Sequence, residues 1–211
     1  MTRQATHATP EHPLLGIEFS LAVSAHASEE LVIARAWRAA SDNHLLVIIP
    51  RHVQRGASIA RLLEENGLRV TLRTEHRIPV SDTDILIADT TGEVDDFCAH
   101  AKLIFMGGSM VKHGGHNVIE AAARGKAIIV GPHTDNFKDE VEYLRSRGAL
   151  EIAENEQELA SKWAEISTGE SARHRLEAAT IAAYRNLPDK VEEYIELVAA
   201  AIDLHHAKTV Q

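Results

Sequence analysis

Short apolar runs alternate with stretches of helical periodicity from residue 16 to about residue 168. The runs Leu45–Ile49, Leu103–Met106 and Ala127–Val130 contain no polar residue. Strands of this kind, set between helices, are typical of a parallel sheet that is covered on both faces. The pattern therefore predicts an α/β fold, with a doubly wound, mainly parallel sheet of the Rossmann-like kind and helices at the C-terminus.

The individual elements follow from the same periodicities. Strands are predicted at 16–24, 45–49, 69–73, 84–88, 103–106, 127–130 and 150–153. Helices are predicted at 28–40, with Ser28 as the N-cap, and at 58–66, 93–101, 117–124, 137–147, 156–167, 172–186 and 191–206. We expect three parts: a disordered polar leader at 1–15, an α/β domain at 16–168, and C-terminal helices at 169–211 packed on it.

The charge and the cysteine content exclude several classes of protein. Acidic residues outnumber basic ones by 31 to 22, giving a formal net charge of -9, which argues against nucleic acid or anionic membranes as partners. No apolar run approaches the ~20 residues that span a bilayer, and the N-terminus lacks the apolar core of a signal peptide. The single cysteine, Cys98, fits a reducing compartment. These features predict a soluble, cytoplasmic protein.

Two familiar kinds of catalytic site are also missing from the sequence. The chain has 13 histidines, but no His-x-x-x-His pair with a third ligand nearby, and its one Asp-x-Asp (82–84) precedes a strand. We therefore predict no metal site. There is no Gly-x-Ser-x-Gly elbow, so a serine hydrolase is not expected either. The residues by themselves assign no catalytic group.

The segment 105–137 carries two glycine pairs between a predicted strand and a predicted helix. Residues 107–109 (Gly-Gly-Ser) end the strand, and residues 114–115 (Gly-Gly) lead into a helix that opens at His116 or Asn117. Glycine lets backbone N–H groups approach an oxyanion closely, and a helix N-terminus adds partial positive charge. This arrangement predicts a phosphate seat at the carboxyl edge of the sheet, where open α/β sheets bind ligands.

The same residues allow a purely structural interpretation. Glycine pairs also form tight turns, and Asn117 with Glu120 three residues later can make a reciprocal capping box. Glu120 can instead accept hydrogen bonds from both hydroxyls of a ribose, because a carboxylate suits a vicinal diol. Lys112 and His113 can add charge at the rim of the seat. The residues alone leave both interpretations open.

Two further positions lie at predicted carboxyl ends of strands. Arg51 follows the strand 45–49, and its guanidinium matches a phosphate or carboxylate, although a solvated surface arginine is an equal alternative. Thr91, Gly92 and Glu93 form the turn before the helix 93–101. They can contact a base or a sugar, or they can simply cap that helix.

Four motifs follow one another in order: SAHASEEL at 24–31, IPRHVQR at 49–55, ADTTGEV at 88–94 and the glycine-rich segment at 105–137. In order and spacing they resemble the Kdo transferases, glycosyltransferases that move Kdo from CMP-Kdo onto a lipid A precursor. The resemblance implies the C-terminal, nucleotide-sugar-binding domain of a GT-B enzyme of lipopolysaccharide biosynthesis. A CMP-sugar would be its donor substrate, and no cofactor is implied.

The resemblance also implies a set of donor-binding residues: Arg51, Thr91, Gly92, Glu93, Gly107, Gly108, Ser109, Gly115, His116, Asn117 and Glu120. Among them, Arg51 is expected to meet the CMP phosphate, and the Thr91–Glu93 turn is expected to line the cytidine. Gly107, Gly108 and Ser109 are expected to approach the sugar-phosphate, and Asn117 and Glu120 to hold phosphate and ribose. The chain departs from the family at Lys112-His113, where Pro-Arg or similar is usual, and at Val118, where proline is usual.

The family's N-terminal domain, with its lipid-acceptor surface and its proposed carboxylate base, has no counterpart before the first predicted strand. The first hypothesis is the donor-binding half of a metal-independent glycosyltransferase. It would bind a CMP-activated acidic sugar and need a separate acceptor domain or partner protein for transfer. The alternative is a non-catalytic nucleotide-sugar-binding or assembly subunit. A third hypothesis is a relative of the nucleotide-sugar epimerases, which share the GT-B plan.

Overall fold

The computed structural model describes residue 14 and residues 16–41, 44–76 and 78–187. Within these ranges seven strands form: β1 (Phe19–Ala25), β2 (Leu45–Pro50), β3 (Val70–Leu72), β4 (Ile85–Ile87), β5 (Leu103–Met106), β6 (Ala127–Val130) and β7 (Glu151–Ile152). Seven helices accompany them: α1 (Glu30–Ala39), α2 (Gly56–Glu65), α3 (Val94–His100), α4 (Ile119–Ala123), α5 (Lys138–Arg145), α6 (Glu156–Thr168) and α7 (Glu170–Arg185). Short 3-10 turns at Val53–Arg55 and Asp135–Phe137 lead into α2 and α5.

The strands form one sheet in the order β3-β4-β2-β1-β5-β6-β7, and each neighbouring pair is parallel. The prediction of a doubly wound α/β fold is confirmed. From β1 the chain first builds the sheet toward β2, and later it continues on the opposite side of β1 with β5. The carboxyl ends of β1 and β5 therefore flank the topological switch point, which is where sheets of this kind bind ligands.

Apolar helix surfaces cover both faces of the sheet. Successive residues of β1 alternate between two hydrophobic clusters, since Leu21 and Val23 belong to one and Ala22 to the other. The cluster around Ala22 includes the inward faces of α1, α2 and α6, and the opposite cluster includes those of α3, α4 and α5. Each large apolar side chain that is fully buried in this way contributes roughly 1.5–3 kcal/mol. This burial holds the helices, and with them the loops at the carboxyl edge, in place.

Several local predictions differ from the structure. The predicted helix 117–124 begins only at Ile119 and has five residues. Ser28 does not cap α1; it takes a φ of 72°, and the helix begins after Glu29. Leu14, assigned to the leader, is buried in the core. The rest of the leader and the predicted helix 191–206 lie outside the described residues, so the three-part division of the chain stays a prediction.

Candidate functional site

The switch point brings three loops together at the carboxyl edge of the sheet. The loop after β1 carries His26 and Glu29, the loop after β2 carries Arg51, and the long loop 107–118 follows β5. The β1 loop is tightly turned, with a register shift between Val23 and Ala25 where β1 pairs with β2. The candidate site therefore lies where three strands of the sheet end.

A buried carboxylate organises the first half of the glycine-rich loop. Glu29 is completely buried. Its Oε2 accepts hydrogen bonds from the N–H groups of Gly108 at 2.7 Å and His26 at 3.2 Å. Its Oε1 accepts those of Met110 at 2.8 Å and Ser109 at 3.1 Å. Burial raises the pKa of Glu29, and the four backbone hydrogen bonds oppose that rise. The anion bound by this half of the loop is thus a side chain of the protein.

In this arrangement residues 107–109, which were expected to approach the sugar-phosphate, have partners within the protein, and their expected role stays a prediction. The N–H groups of Gly108 and Ser109 donate to Glu29 and are not available to a phosphate. The Ser109 hydroxyl is also committed, because it donates to the Met106 carbonyl at 2.5 Å and accepts from the Gly131 N–H at 2.8 Å. A Cβ on Gly107 would lie 2.5 Å from the Ser24 carbonyl oxygen. Close backbone packing, rather than a ligand, explains this glycine.

The second half of the loop is fixed by the loop after β6. Asn136 donates from its backbone N–H to the Gly114 carbonyl at 3.0 Å and from its side-chain amide to the His113 carbonyl at 3.0 Å. The Gly115 N–H donates to the Gly108 carbonyl at 2.9 Å, which joins the two halves of the loop. These contacts explain why the two glycine pairs and the later Gly-Pro-His-x-x-Asn-Phe motif occur together in the sequence.

The capping box that the sequence allowed at residues 117–120 does not form. The Asn117 side chain accepts a hydrogen bond from the Ile119 N–H at 3.0 Å, while Val118 occupies the N-cap position of α4 without a side-chain cap. Glu120 is exposed and has no hydrogen bond within the described part of the chain. The five-residue α4 is also too short for the full helix dipole that the sequence predicted. Glu120 is thus free to bind a ligand.

Glu120 lines a cavity of about 360 Å³ between α3 and α4. The residues that form its wall are Val94, Asp95, Cys98, Glu120, Ala123 and Arg124. Burial raises the pKa of Cys98 to about 12, with the carboxylates of Glu120 and Asp95 adding to the shift, so the thiol stays protonated. Val94, in the wall of this cavity, comes directly after the Thr91–Glu93 turn. That turn and the cavity that Glu120 lines are therefore next to each other.

Within that turn, Glu93 has a structural partner. Both its carboxylate oxygens bind Arg73, at 2.5 Å and 3.2 Å, and the Thr90 hydroxyl also donates to it. The Arg73 side chain is only 2% exposed, so Glu93 neutralises a buried charge. We therefore interpret Glu93 as a structural residue rather than a cytidine contact. Thr91 and Gly92 are exposed, and they remain predicted ligand contacts.

Arg51 and three histidines provide the side-chain nitrogens at the switch point. Arg51 is exposed, and its backbone N–H is anchored to the Ala25 carbonyl at 2.9 Å. The Nε2 atoms of His26 and His116 are 2.7 Å apart, a hydrogen bond in which one ring donates and the other accepts. The ring of His26 also lies 3.9 Å from that of His113 and 5.0 Å from that of His116, centre to centre. We call His26, His113 and His116 the imidazole cluster.

The surroundings lower the pKa values of two rings of the imidazole cluster, His26 and His116. The pKa of His26 is lowered to about 4, first by burial and then by the nearby His113, His116, His52 and Arg51. The pKa of His116 is lowered by burial, by Arg51 and by His113. Within the described ranges, no group of three or more His, Cys, Asp or Glu residues is arranged to hold a metal ion. His26 and His116 are thus harder to protonate than free imidazoles, and they lie beside the permanent cation of Arg51.

Sequence reasoning missed Glu29, which has no local signal beyond its place between a strand and a helix. His26 and His113 were visible as polar residues near strand ends, but the contact between them depends on the β1–β5 pairing. Of the expected donor-site residues, Arg51 and His116 converge at the imidazole cluster and Glu120 lines the nearby cavity.

Among the helices of the described residues, none has both the length and the apolar character that a membrane span requires.

A doubly wound parallel sheet with helices on both faces defines the class of fold, which is Rossmann-like α/β. The 3-deoxy-D-manno-octulosonic acid (Kdo) transferase of Bordetella pertussis is 35% identical to this chain over 176 residues, 79% of this chain and 41% of the relative. That of Haemophilus influenzae is 31% identical over 160 residues, 74% and 38% of the two chains. The chain therefore belongs to the Kdo transferase family, and it spans about two fifths of the length of these relatives.

A solved structure shows the same fold. The C-terminal CMP-Kdo binding domain of WaaA from Acinetobacter baumannii matches with a TM-score of 0.75 and 24% sequence identity. The match covers 82% of this chain and 91% of that domain. No protein-family model matches the sequence.

Proposed function

We propose that this domain binds a CMP-activated acidic sugar, such as CMP-Kdo, and forms the donor half of a glycosyltransferase. The observation that carries the proposal is Glu120, which is free of any helix cap and lines a cavity at the carboxyl edge. A ribose needs two acceptors at a fixed spacing, and a carboxylate supplies both. The Acinetobacter baumannii domain with the same fold is a CMP-Kdo binding domain, which supports the choice of ligand.

In this arrangement the nucleoside occupies the cavity between α3 and α4, with Glu120 on the ribose and Thr91 and Gly92 at the rim. The phosphate then lies toward Arg51, His116 and Asn117. Arg51 offers a planar fork of donors that fits two phosphate oxygens at once. It is exposed and has no hydrogen-bond partner for its side chain among the described residues, so the guanidinium is available.

Transfer would proceed by attack of an acceptor hydroxyl oxygen on the anomeric carbon of the sugar. The bond from that carbon to the phosphate oxygen breaks, and CMP leaves with the electron pair. Arg51 would stabilise the charge that develops on the phosphate, which is the step at which fixed positive groups accelerate such reactions most. The hydroxyl proton goes to a base on an acceptor domain or partner protein, since the donor residues proposed here include none.

The ligand class can be tested by thermal unfolding with CMP, UMP and UDP at millimolar concentration. CMP and UMP carry the same phosphate, so a larger rise in Tm with CMP identifies a cytidine site. Equal shifts, or none, would contradict the proposal.

A second measurement concerns the reaction itself. We expect negligible Kdo transfer by this chain alone, and transfer when an acceptor domain from a family member is added. If CMP binds but no acceptor domain restores transfer, the alternative of a non-catalytic nucleotide-sugar-binding subunit gains support.

A further inference from the structure

The donor phosphate needs positive charge or N–H donors, and the structure limits where these come from. The N–H groups of Gly108, Ser109 and Met110 donate to Glu29, so the glycine-rich loop does not offer them. The helix that follows the loop, α4, has only five residues. Arg51 and the imidazole rings are therefore the side chains at the switch point that are placed to add positive charge or N–H donors for an anion.

The imidazole cluster lies at this switch point and reaches solvent. His113 is exposed, while His26 and His116 are partly exposed. The three rings come from two loops, after β1 and after β5, and the centre of the His26 ring lies 3.9 Å from that of His113 and 5.0 Å from that of His116. These contacts bring imidazole rings of the two loops together, and burial makes His26 and His116 harder to protonate while no anion is present.

We propose that the imidazole cluster takes up one proton when the donor phosphate binds, and that the resulting imidazolium is part of the phosphate seat. This inference rests on the proposed function. The charged and titratable groups that face His26 are Glu29 before α1, Arg51 and His52 after β2, and His113 and His116 of the β5 loop. Four backbone N–H groups hydrogen-bond the Glu29 carboxyl, and the other titratable or charged neighbours of His26 are an arginine and three histidines.

The free and bound states would then differ in charge. Without ligand, burial and the neighbouring cationic groups lower the pKa values of His26 and His116. A phosphate next to the rings raises their pKa values, because an opposite charge within about 4–6 Å favours the protonated form. Binding therefore consumes a proton, and affinity strengthens as the pH falls. One proton corresponds to at most a tenfold change in affinity per pH unit.

The test is the affinity for CMP between pH 6 and pH 8, measured by calorimetry for the wild-type chain, His26→Asn and His113→Asn. CMP itself titrates in this range, but it does so equally in every experiment. The readout is therefore the ratio of the variant Kd to the wild-type Kd at each pH. We expect this ratio to rise at least threefold from pH 8 to pH 6. His100→Asn, a histidine on α3 outside the cluster, should show no such trend.

Proton uptake can be measured directly by repeating the titrations in two buffers of different ionisation enthalpy. The wild type should take up more protons per CMP than either cluster variant, and cytidine, which lacks the phosphate, should cause no uptake. A pH-independent Kd ratio with normal CMP binding would overturn this inference and leave the proposed function standing. Equal uptake with CMP and cytidine would also overturn it. Absence of CMP binding at every pH would reject both.

Discussion

The two glycine pairs of the β5 loop look alike in the sequence and differ in what surrounds them. At the first pair, the N–H groups of Gly108 and Ser109 donate to the buried Glu29. The Ser109 hydroxyl also accepts a hydrogen bond from the loop after β6. The second pair leads to His116 and Asn117, whose side chains are partly exposed at the switch point. The first half of the loop is thus tied to the rest of the fold, and the second half carries residues that we propose bind the ligand. The sequence of a glycine pair does not reveal which of these roles it has. The hydrogen-bond partners of the nearby backbone N–H groups reveal it.

The first half of the loop should be the more sensitive to mutation. Glu29→Gln removes the charge that four N–H groups share and turns an amide donor toward some of them. Hydrogen bonds to charged groups contribute roughly 1.5–3 kcal/mol each, so we expect the free energy of unfolding to fall by about 3 kcal/mol or more. Denaturant unfolding measures this.

A matched control is Glu156→Gln. Glu156 pairs with Arg35 at 2.9 Å on the surface, and exposed pairs contribute about 0.2–1 kcal/mol. Similar losses in the two variants would show that Glu29 is not the organising group of the loop.

Two alanine substitutions, at positions with nearly equal φ angles, test the second glycine pair. Gly114 has a φ of 85° and Gly92 one of 83°, but a Cβ at 114 would lie 2.5 Å from the Asn136 side chain, whereas at 92 it meets nothing within 4 Å. Gly92→Ala should cost only the left-handed strain of roughly 1–2 kcal/mol. Gly114→Ala should cost roughly 1–3 kcal/mol more, because the Asn136 contact must shift. Equal costs would mean that Asn136 moves aside freely.

The residues that we propose bind the ligand should affect binding rather than stability. Glu120→Gln keeps the size of the side chain but loses the charge that would strengthen its bonds to a ribose diol. We expect CMP binding to weaken by roughly 1.5–3 kcal/mol with little change in Tm. Glu65→Gln, on the last residue of α2, serves as the control. Unchanged CMP affinity would remove the main support for the nucleoside cavity.

Arg51→Lys provides the parallel test at the phosphate. Lysine keeps the charge but loses the bidentate fork, so affinity should fall while the fold survives. If CMP affinity is unchanged in both Glu120→Gln and Arg51→Lys, the proposed donor site is wrong.

The sequence predicted the sheet better than the site, for physical reasons. The strands β5 and β6 have the predicted bounds, because their continuous apolar runs have no alternative to full burial. The site depends on contacts across the sheet. Glu29 and Gly108 are 79 residues apart, and His26 and His116 are 90 apart. No local pattern marks such pairs; their contact follows from β1 and β5 being neighbours.

The smallest expected effect concerns the stability of the protein in acid. In this respect His26 should differ from a histidine outside the imidazole cluster. The folded chain holds the pKa of His26 near 4, while an unfolded histidine titrates near 6.5. Between these values the unfolded state binds more protons, so this group makes the ligand-free protein less stable as the pH falls from 6.5 to 4. His26→Asn removes the penalty, and its Tm should fall less over this range than that of the wild type. Because His26 is partly exposed, solvent screening limits the difference to about 2 °C. His100→Asn should follow the wild type. A His26→Asn profile parallel to the wild type would show that His26 is protonated as easily as a free side chain.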